Sequence, residues 1–182
     1  MNNDRSARLT ATLVAIPIAL LAFFVVFQVL KPISPVPSSS PTPSPRTIPT
    51  GPVEIAPAAL DEHQATVCKT LIARLPSQVR DLPRRPVTGA SDQAGAYGEL
   101  LLRCGGPKPS FPPTDFVFDT TGVCWHPDAG GTTWTTVDRE VPITLTLPPY
   151  LAGDGSAQWA AALAPVIGTN VQATPDQPSG CP

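Results

Sequence analysis

Two histidines, four cysteines and a scatter of carboxylates are the residues of this 182-residue chain that could carry chemistry. Nucleophilic catalysis needs a serine or cysteine held against a base. Gly153-Asp154-Gly155-Ser156-Ala157 lacks the final glycine of the G-x-S-x-G elbow. Cys124-Trp125-His126 brings a thiol near an imidazole, but adjacent strand positions point to opposite faces, and an even cysteine count assigns the thiol to a disulfide. His63 and His126 stand in no partner motif and read as surface histidines. Asp115, Asp119, Asp128, Asp138 and Glu140 lie around expected turns, where an aspartate bonds its own backbone. EF-hand, P-loop and dinucleotide fingerprints are absent. The sequence therefore predicts a non-enzymatic protein with no catalytic residue, no cofactor and no metal site. Trp125, Trp134 and Trp159 either line a pocket for a lipid or sugar or fill the core, and a chain with so few large residues favours the core.

The cysteines are more informative. Cys68, Cys104, Cys124 and Cys181 are separated by 36, 20 and 57 positions, with no C-x-x-C knuckle of the kind that holds zinc. An even number in a small exported domain reads as two disulfides. Of the three possible pairings, the expected one joins Cys104 to Cys124 within the sheet region and Cys68 to Cys181, tying the C-terminus to the first helix. The second bridge closes a long loop and stabilises by about 4–5 kcal/mol in the chain-entropy model.

The elements that must position these residues follow from periodicity. Leu60, Val67, Cys68, Leu71, Ile72 and Leu75 recur at helical spacing, with Pro57 at the start and Pro76 as the stop, so Cys68 faces the core. Ser77 to Ala96, broken by Pro83, Pro86 and Gly89, reads as a solvated loop carrying Arg80, Arg84 and Arg85. Leu100–Cys104 reads as a strand, with Arg103 in need of a partner if buried. Phe116–Phe118, Gly122–His126 and Thr132–Val137 read as strands of a hairpin region with a glycine turn at 127–131. In Ile143-Thr144-Leu145-Thr146-Leu147 the aliphatics alternate inward. A second helix, capped by Asp154 or Ser156, ends at Gly168, and Val171–Ala173 forms a last strand. Helix, meander and helix predict an α+β fold: an antiparallel sheet with two helices packed on one face.

Ahead of this lies Leu9–Leu30, 22 residues without a charge. As a helix it spans about 33 Å, enough for a hydrocarbon core. It is longer than a cleaved signal segment and offers no small-x-small site after it. Arg5 and Arg8 precede it against Lys31 after it, which places residues 1–8 in the cytoplasm and the rest outside. Residues 31–56, rich in proline, serine and threonine, read as a disordered linker in polyproline II, bare or O-glycosylated. Residues 57–182 form the extracytoplasmic domain. They hold twelve acidic against eight basic residues, which argues against a nucleic-acid partner.

Cys68 on a leucine-rich helix ending Leu75-Pro76, Tyr97-Gly98-Glu99 before Leu102-Arg103-Cys104-Gly105, Gly122-Val123-x-Trp125, Thr135-Thr136-Val137-x-Arg139, Leu147-Pro148 and terminal Cys181-Pro182 follow one another in order. Over about residues 59–182 this resembles the actinobacterial domain-of-unknown-function family 3515. Leu100, where relatives tend to carry proline, and Cys124, directly before Trp125, depart from that pattern. The resemblance implies a small envelope-facing protein with an N-terminal membrane or lipoprotein-type segment, and it transfers no catalytic residue. The expected protein is a single-pass, membrane-anchored module that meets an envelope protein or a cell-wall component. The alternative is a lipid- or sugar-binding domain, or weak hydrolase, using the tryptophans and turn carboxylates.

Overall fold

In the computed structural model, residues 47–175 and 177–181 are described. They form β1 (Val53–Ile55), α1 (Glu62–Arg74), β2 (Gln78–Val79), β3 (Leu82–Arg85), β4 (Val87–Gly89), β5 (Ala94–Tyr97), β6 (Leu100–Cys104), β7 (Phe118–Thr120), β8 (Val123–Pro127), β9 (Thr133–Thr136), β10 (Ile143–Thr146) and α2 (Ala157–Asn170). Eight strands make one sheet in the order β2-β3-β5-β6-β10-β9-β8-β7. Every pairing in it is antiparallel. β1 and β4 form a separate parallel pair. The class is α+β. The expected cytoplasmic tail, membrane span and the linker up to residue 46 lie outside the described residues, among which no helix is long and apolar enough to cross a membrane.

Local chemistry explains both helices. Asp61 caps α1, its carboxylate accepting from the Gln64 N–H at 2.8 Å, with Glu62 in the first turn and Arg74 in the last to suit the dipole. At the far end the Arg84 guanidinium donates to the carbonyl oxygens of Ile72 (2.9 Å), which otherwise takes only a long 3.4 Å bond from the Leu75 N–H, and of Leu75 (3.1 Å). Ser156 stands at the start of α2, yet its hydroxyl makes no capping bond. Gly168 does not end α2. The helix runs on to Asn170, and the side chains of Thr169 and Asn170 donate to the carbonyl oxygens of Pro165 and Val166.

Strand alternation sorts the sheet into two faces. Leu100, Leu102 and Cys104 of β6, Ile143 and Leu145 of β10, Trp134 of β9 and Trp125 of β8 share one core with Cys68, Leu71 and Ile72 of α1 and Trp159, Leu163 and Ile167 of α2. Both helices therefore cover the same face. On the other face, Ala94 and Leu101 pack with Ile55, Ala90, Val53 and Val87 in a smaller second core beneath the β1–β4 pair.

Several expectations are corrected. Residues 77–96 are not a solvated loop but hold β2 to β5. The strand β5 was hidden because its residues are small: all four, Ala-Gly-Ala-Tyr, are buried, and a Cβ at Gly95 would lie 2.5 Å from Leu75 Cδ1, so α1 approaches too closely for a side chain. The three arginines are engaged as well. Arg84 caps α1, Arg85 donates to the carbonyl oxygens of Gly51 and Gly98, and Arg80 lies 5.2 Å over the Trp159 ring. Residues 47–56, read as linker, belong to the fold. Ile48 packs on the main core, and Val53–Ile55 escapes the proline pattern because Pro52 precedes rather than interrupts it.

The disulfides join Cys68 to Cys104 and Cys124 to Cys181, so the expected Cys104–Cys124 and Cys68–Cys181 pairs are wrong. β10 and β9 lie between β6 and β8, which puts Cys104 and Cys124 about 14 Å apart across the sheet at the usual strand spacing, beyond disulfide reach. Cys104 instead faces α1 beside Cys68, while Cys124 faces the opposite side, where the C-terminal tail passes. Cys124 and His126, two positions apart on β8, share that side, contrary to the divergence expected of them.

Candidate functional site

His126 lies near the end of β8 on the face away from the helices. Its Nε2 is 3.0 Å from Asp115 Oδ2, and the Phe111 ring stacks on the imidazole with centroids 4.3 Å apart and planes at 17°. Both partners come from the segment between β6 and β7. Pro107, Pro109, Pro112 and Pro113 deny that segment N–H donors and keep it out of the ladder, so it arches over the sheet face instead of joining it.

Beyond the pair opens a cleft of about 420 Å³ walled by Asp115, Phe116, Phe118, His126 and Pro127. Phe116 is 84% exposed and Phe118 43%. Burying a phenyl ring stabilises by about 1.5–3 kcal/mol, a gain that Phe116 leaves largely unused and Phe118, tilted against Trp134, leaves partly unused. Phe118 and Pro127 also wall a second cleft of about 270 Å³ that runs to the loop before α2, past Asp128, Gly131 and Asp154. Among the described residues, no lysine or arginine lines either cleft. Asp128 is anionic here: burial would raise its carboxyl, but hydrogen bonds from the Thr132 hydroxyl (2.6 Å) and Thr132 N–H (2.7 Å), with help from Thr133, outweigh that and hold it below the usual carboxylate range. The surface is aromatic with an acidic rim, a composition suited to binding.

The other residues singled out by type are used elsewhere. His63 on α1 lies 3.3 Å from Glu140, exposed on the helix side. Asp119 accepts from the Gly122 N–H at 3.1 Å and closes the β7–β8 turn. That turn is a tight two-residue one with Thr121 at φ 57° and Gly122 at φ 76°. Asp138 and Arg139 form a buried pair at 3.2 Å, and Arg139 also donates to the carbonyl oxygens of Val171 and Gly122, tying the end of α2 to the hairpin. The turn carboxylates thus serve separate structural tasks and are not brought together as an acid–base couple. Cys124 is locked in its disulfide and offers no thiolate to His126. Ser156 is buried. Among the described residues no three His, Cys, Asp or Glu side chains gather as a metal site.

Of the tryptophans only Trp134 lines a described cleft, the second, while Trp125 and Trp159 line neither. Trp125, Trp134 and Trp159 are 0%, 3% and 5% exposed and form the core between sheet and helices. Phe111, Phe116 and Phe118 are the aromatic residues that reach the surface site, and the sequence reading passed over them as functional candidates. Their one signal was position: Phe111 and Phe116 lie in the proline-rich segment outside any strand, and Phe118 opens the edge strand β7 right after it.

No curated protein and no solved structure matches the chain. A family model does match, over residues 14–176, so it takes in most of the apolar N-terminal stretch and the linker, beyond the 59–182 span in which the resemblance was read, and stops short of Cys181. Since that match covers well over half of the sequence, the chain belongs to the family described as protein of unknown function (DUF3515).

Proposed function

We propose that this protein is a non-enzymatic binding module of the cell envelope, held on the single membrane span Leu9–Leu30 with its N-terminus cytoplasmic and its disulfide-bonded domain outside. The uncharged 22-residue stretch and the flanking arginines support the anchor. Two disulfides support an oxidising compartment. The observation that carries the binding role is the cleft beside the Asp115–His126 pair, where Phe116 and Phe118 stay exposed while every tryptophan is buried. Lone exposed apolar residues are ordinary, but two phenyl rings flanking one concavity mark an interaction site.

The test is a photo-reactive residue placed at Phe116, with a second at Lys69 on the exposed side of α1 as control, in native membranes. A reproducible adduct from position 116 and none from 69 is the expected result. Equal labelling from both, or none from 116, would remove the binding role. The orientation is tested separately by fusing, after Pro182, a reporter active only outside the membrane. An inactive reporter overturns the placement.

A further inference from the structure

We infer that the sheet face opposite the helices is the contact strip for a hydroxyl-rich glycan bearing an anionic substituent, an inference that rests on the reading of this domain as an envelope binding module and names its ligand class. Arg103 stands opposite Thr144, Thr144 opposite Thr135 and Thr135 opposite His126, so four polar side chains form one line across β6, β10, β9 and β8. Three steps of strand spacing make the line about 14 Å long. Thr146 opposite Thr133 begins a second line two residues further along the same face. The four threonines are half-buried or exposed, and Arg103 is exposed.

The hydrogen-bond inventory points to the occupant. Each threonine hydroxyl offers one donor and two acceptor sites, and Thr135 and Thr144 meet only at 3.4 Å, a contact that leaves most of that capacity open. Among the described residues, Arg103 makes one long bond, 3.4 Å to the Ala56 carbonyl oxygen, and no ion pair. A guanidinium with five donors in a fixed fork is therefore available to a carboxylate or phosphate. At the other end the line runs into Phe111 stacked on His126, a flat platform for the C–H face of a sugar ring. An apolar partner would leave the hydroxyls without partners at a cost. A protein strand cannot pair here, because β9 and β10 already have neighbours on both edges. Nucleic acid is disfavoured by the acidic excess of the domain. A polyhydroxylated chain meets the threonines donor to acceptor along their whole length, and its negative group answers the Arg103 guanidinium.

The experiment is calorimetric titration of the full chain in detergent with three probes: a neutral N-acetylglucosamine hexamer, a hexamer alternating N-acetylglucosamine with glucuronate, and a short glycerol-phosphate polymer. At least one anionic probe is expected to bind more tightly than the neutral hexamer. The arm that binds identifies the group as carboxylate or phosphodiester. Thr135→Val with Thr144→Val keeps shape and β-branching while removing both hydroxyls. It is expected to weaken binding about tenfold, the loss of one to two hydrogen bonds. Arg103→Gln is expected to abolish the preference for the anionic probe while sparing binding of the neutral one. An unchanged disulfide map and circular dichroism spectrum certify the variants as folded. No binding of any probe, or binding indifferent to these substitutions, overturns the inference. The cross-link at Phe116 reports on the broader binding role independently, so either can fail alone.

Discussion

Asp115 and His126 meet at 3.0 Å, and Phe111 lies flat on the imidazole. Three residues from one arched segment and one strand thus build a single corner of the cleft. The geometry makes His126 the post on which the proline-rich segment rests.

Replacing that post should loosen the segment without unfolding the domain. His126→Ala is expected to lower global stability by about 1 kcal/mol, the worth of a partly exposed side-chain hydrogen bond and one aromatic contact. Amide exchange at Thr114–Val117 should accelerate selectively. Uniform acceleration through β6 and β10 would show that the segment does not depend on this contact.

Phe116 predicts the opposite separation. Because its ring is mostly in solvent, Phe116→Ser should change stability by less than about 0.5 kcal/mol and still abolish partner labelling from the cleft. Thermal melting and photo-cross-linking from the neighbouring Thr114 report the two effects side by side.

Each disulfide ties distant parts of the chain. The Cys68–Cys104 bridge spans 36 residues, for which the chain-entropy relation gives about 4 kcal/mol. Removing it by Cys68→Ala with Cys104→Ala should cost that order of stability in denaturant titration. Non-reducing peptide mapping should recover Cys68 linked to Cys104 and Cys124 linked to Cys181.

Arg84 closes α1 with two charge-assisted bonds to Ile72 and Leu75. Arg84→Met should cost about 2 kcal/mol. Arg84→Lys should recover little, since a point ammonium cannot span both carbonyls as the planar fork does. Equal stability of the lysine variant and the native chain would refute the capping role.

Tyr97 sets an alkaline limit. Burial pushes its phenol up to about 12, partly opposed by the nearby Arg84 charge, and its hydroxyl donates to the Pro76 carbonyl oxygen at 2.8 Å. An unfolded phenol titrates near 10, so between those values the folded state holds the extra proton and stability falls as pH rises. The loss should approach about 2–3 kcal/mol by pH 12. Tyr97→Phe should flatten that decline while costing about 1 kcal/mol at neutral pH. Denaturant titrations from pH 8 to 12 distinguish the two.

Much of the secondary structure was legible because its signal is local. Cys68, Leu71 and Ile72 fall on one stripe of α1, and Ile143 and Leu145 alternate with threonines in β10, as their spacing announces. β5 was not legible, since Ala94-Gly95-Ala96 carries no hydrophobic pattern and becomes a strand through its pairing with β3 and β6, while Leu75 fills the space above Gly95. The histidine could be named in advance, but Asp115 was one of five turn acids. Nothing in its neighbours marked it, instead of Asp119 or Asp128, as the partner of His126.

By itself the sequence determined the helices, the alternation of the central strands and the presence of two disulfides, and it favoured the core over a pocket for the tryptophans. These follow from periodicity, composition and parity, which are properties of short windows or of counts. The tertiary structure alone decided which cysteines pair, which carboxylate meets His126 and which phenylalanines stay in solvent. Each of those depends on strand order: β10 and β9 stand between Cys104 and Cys124, and no local pattern records which strands will become neighbours. The same ordering aligns Arg103, Thr144, Thr135 and His126 across four strands drawn from distant parts of the chain.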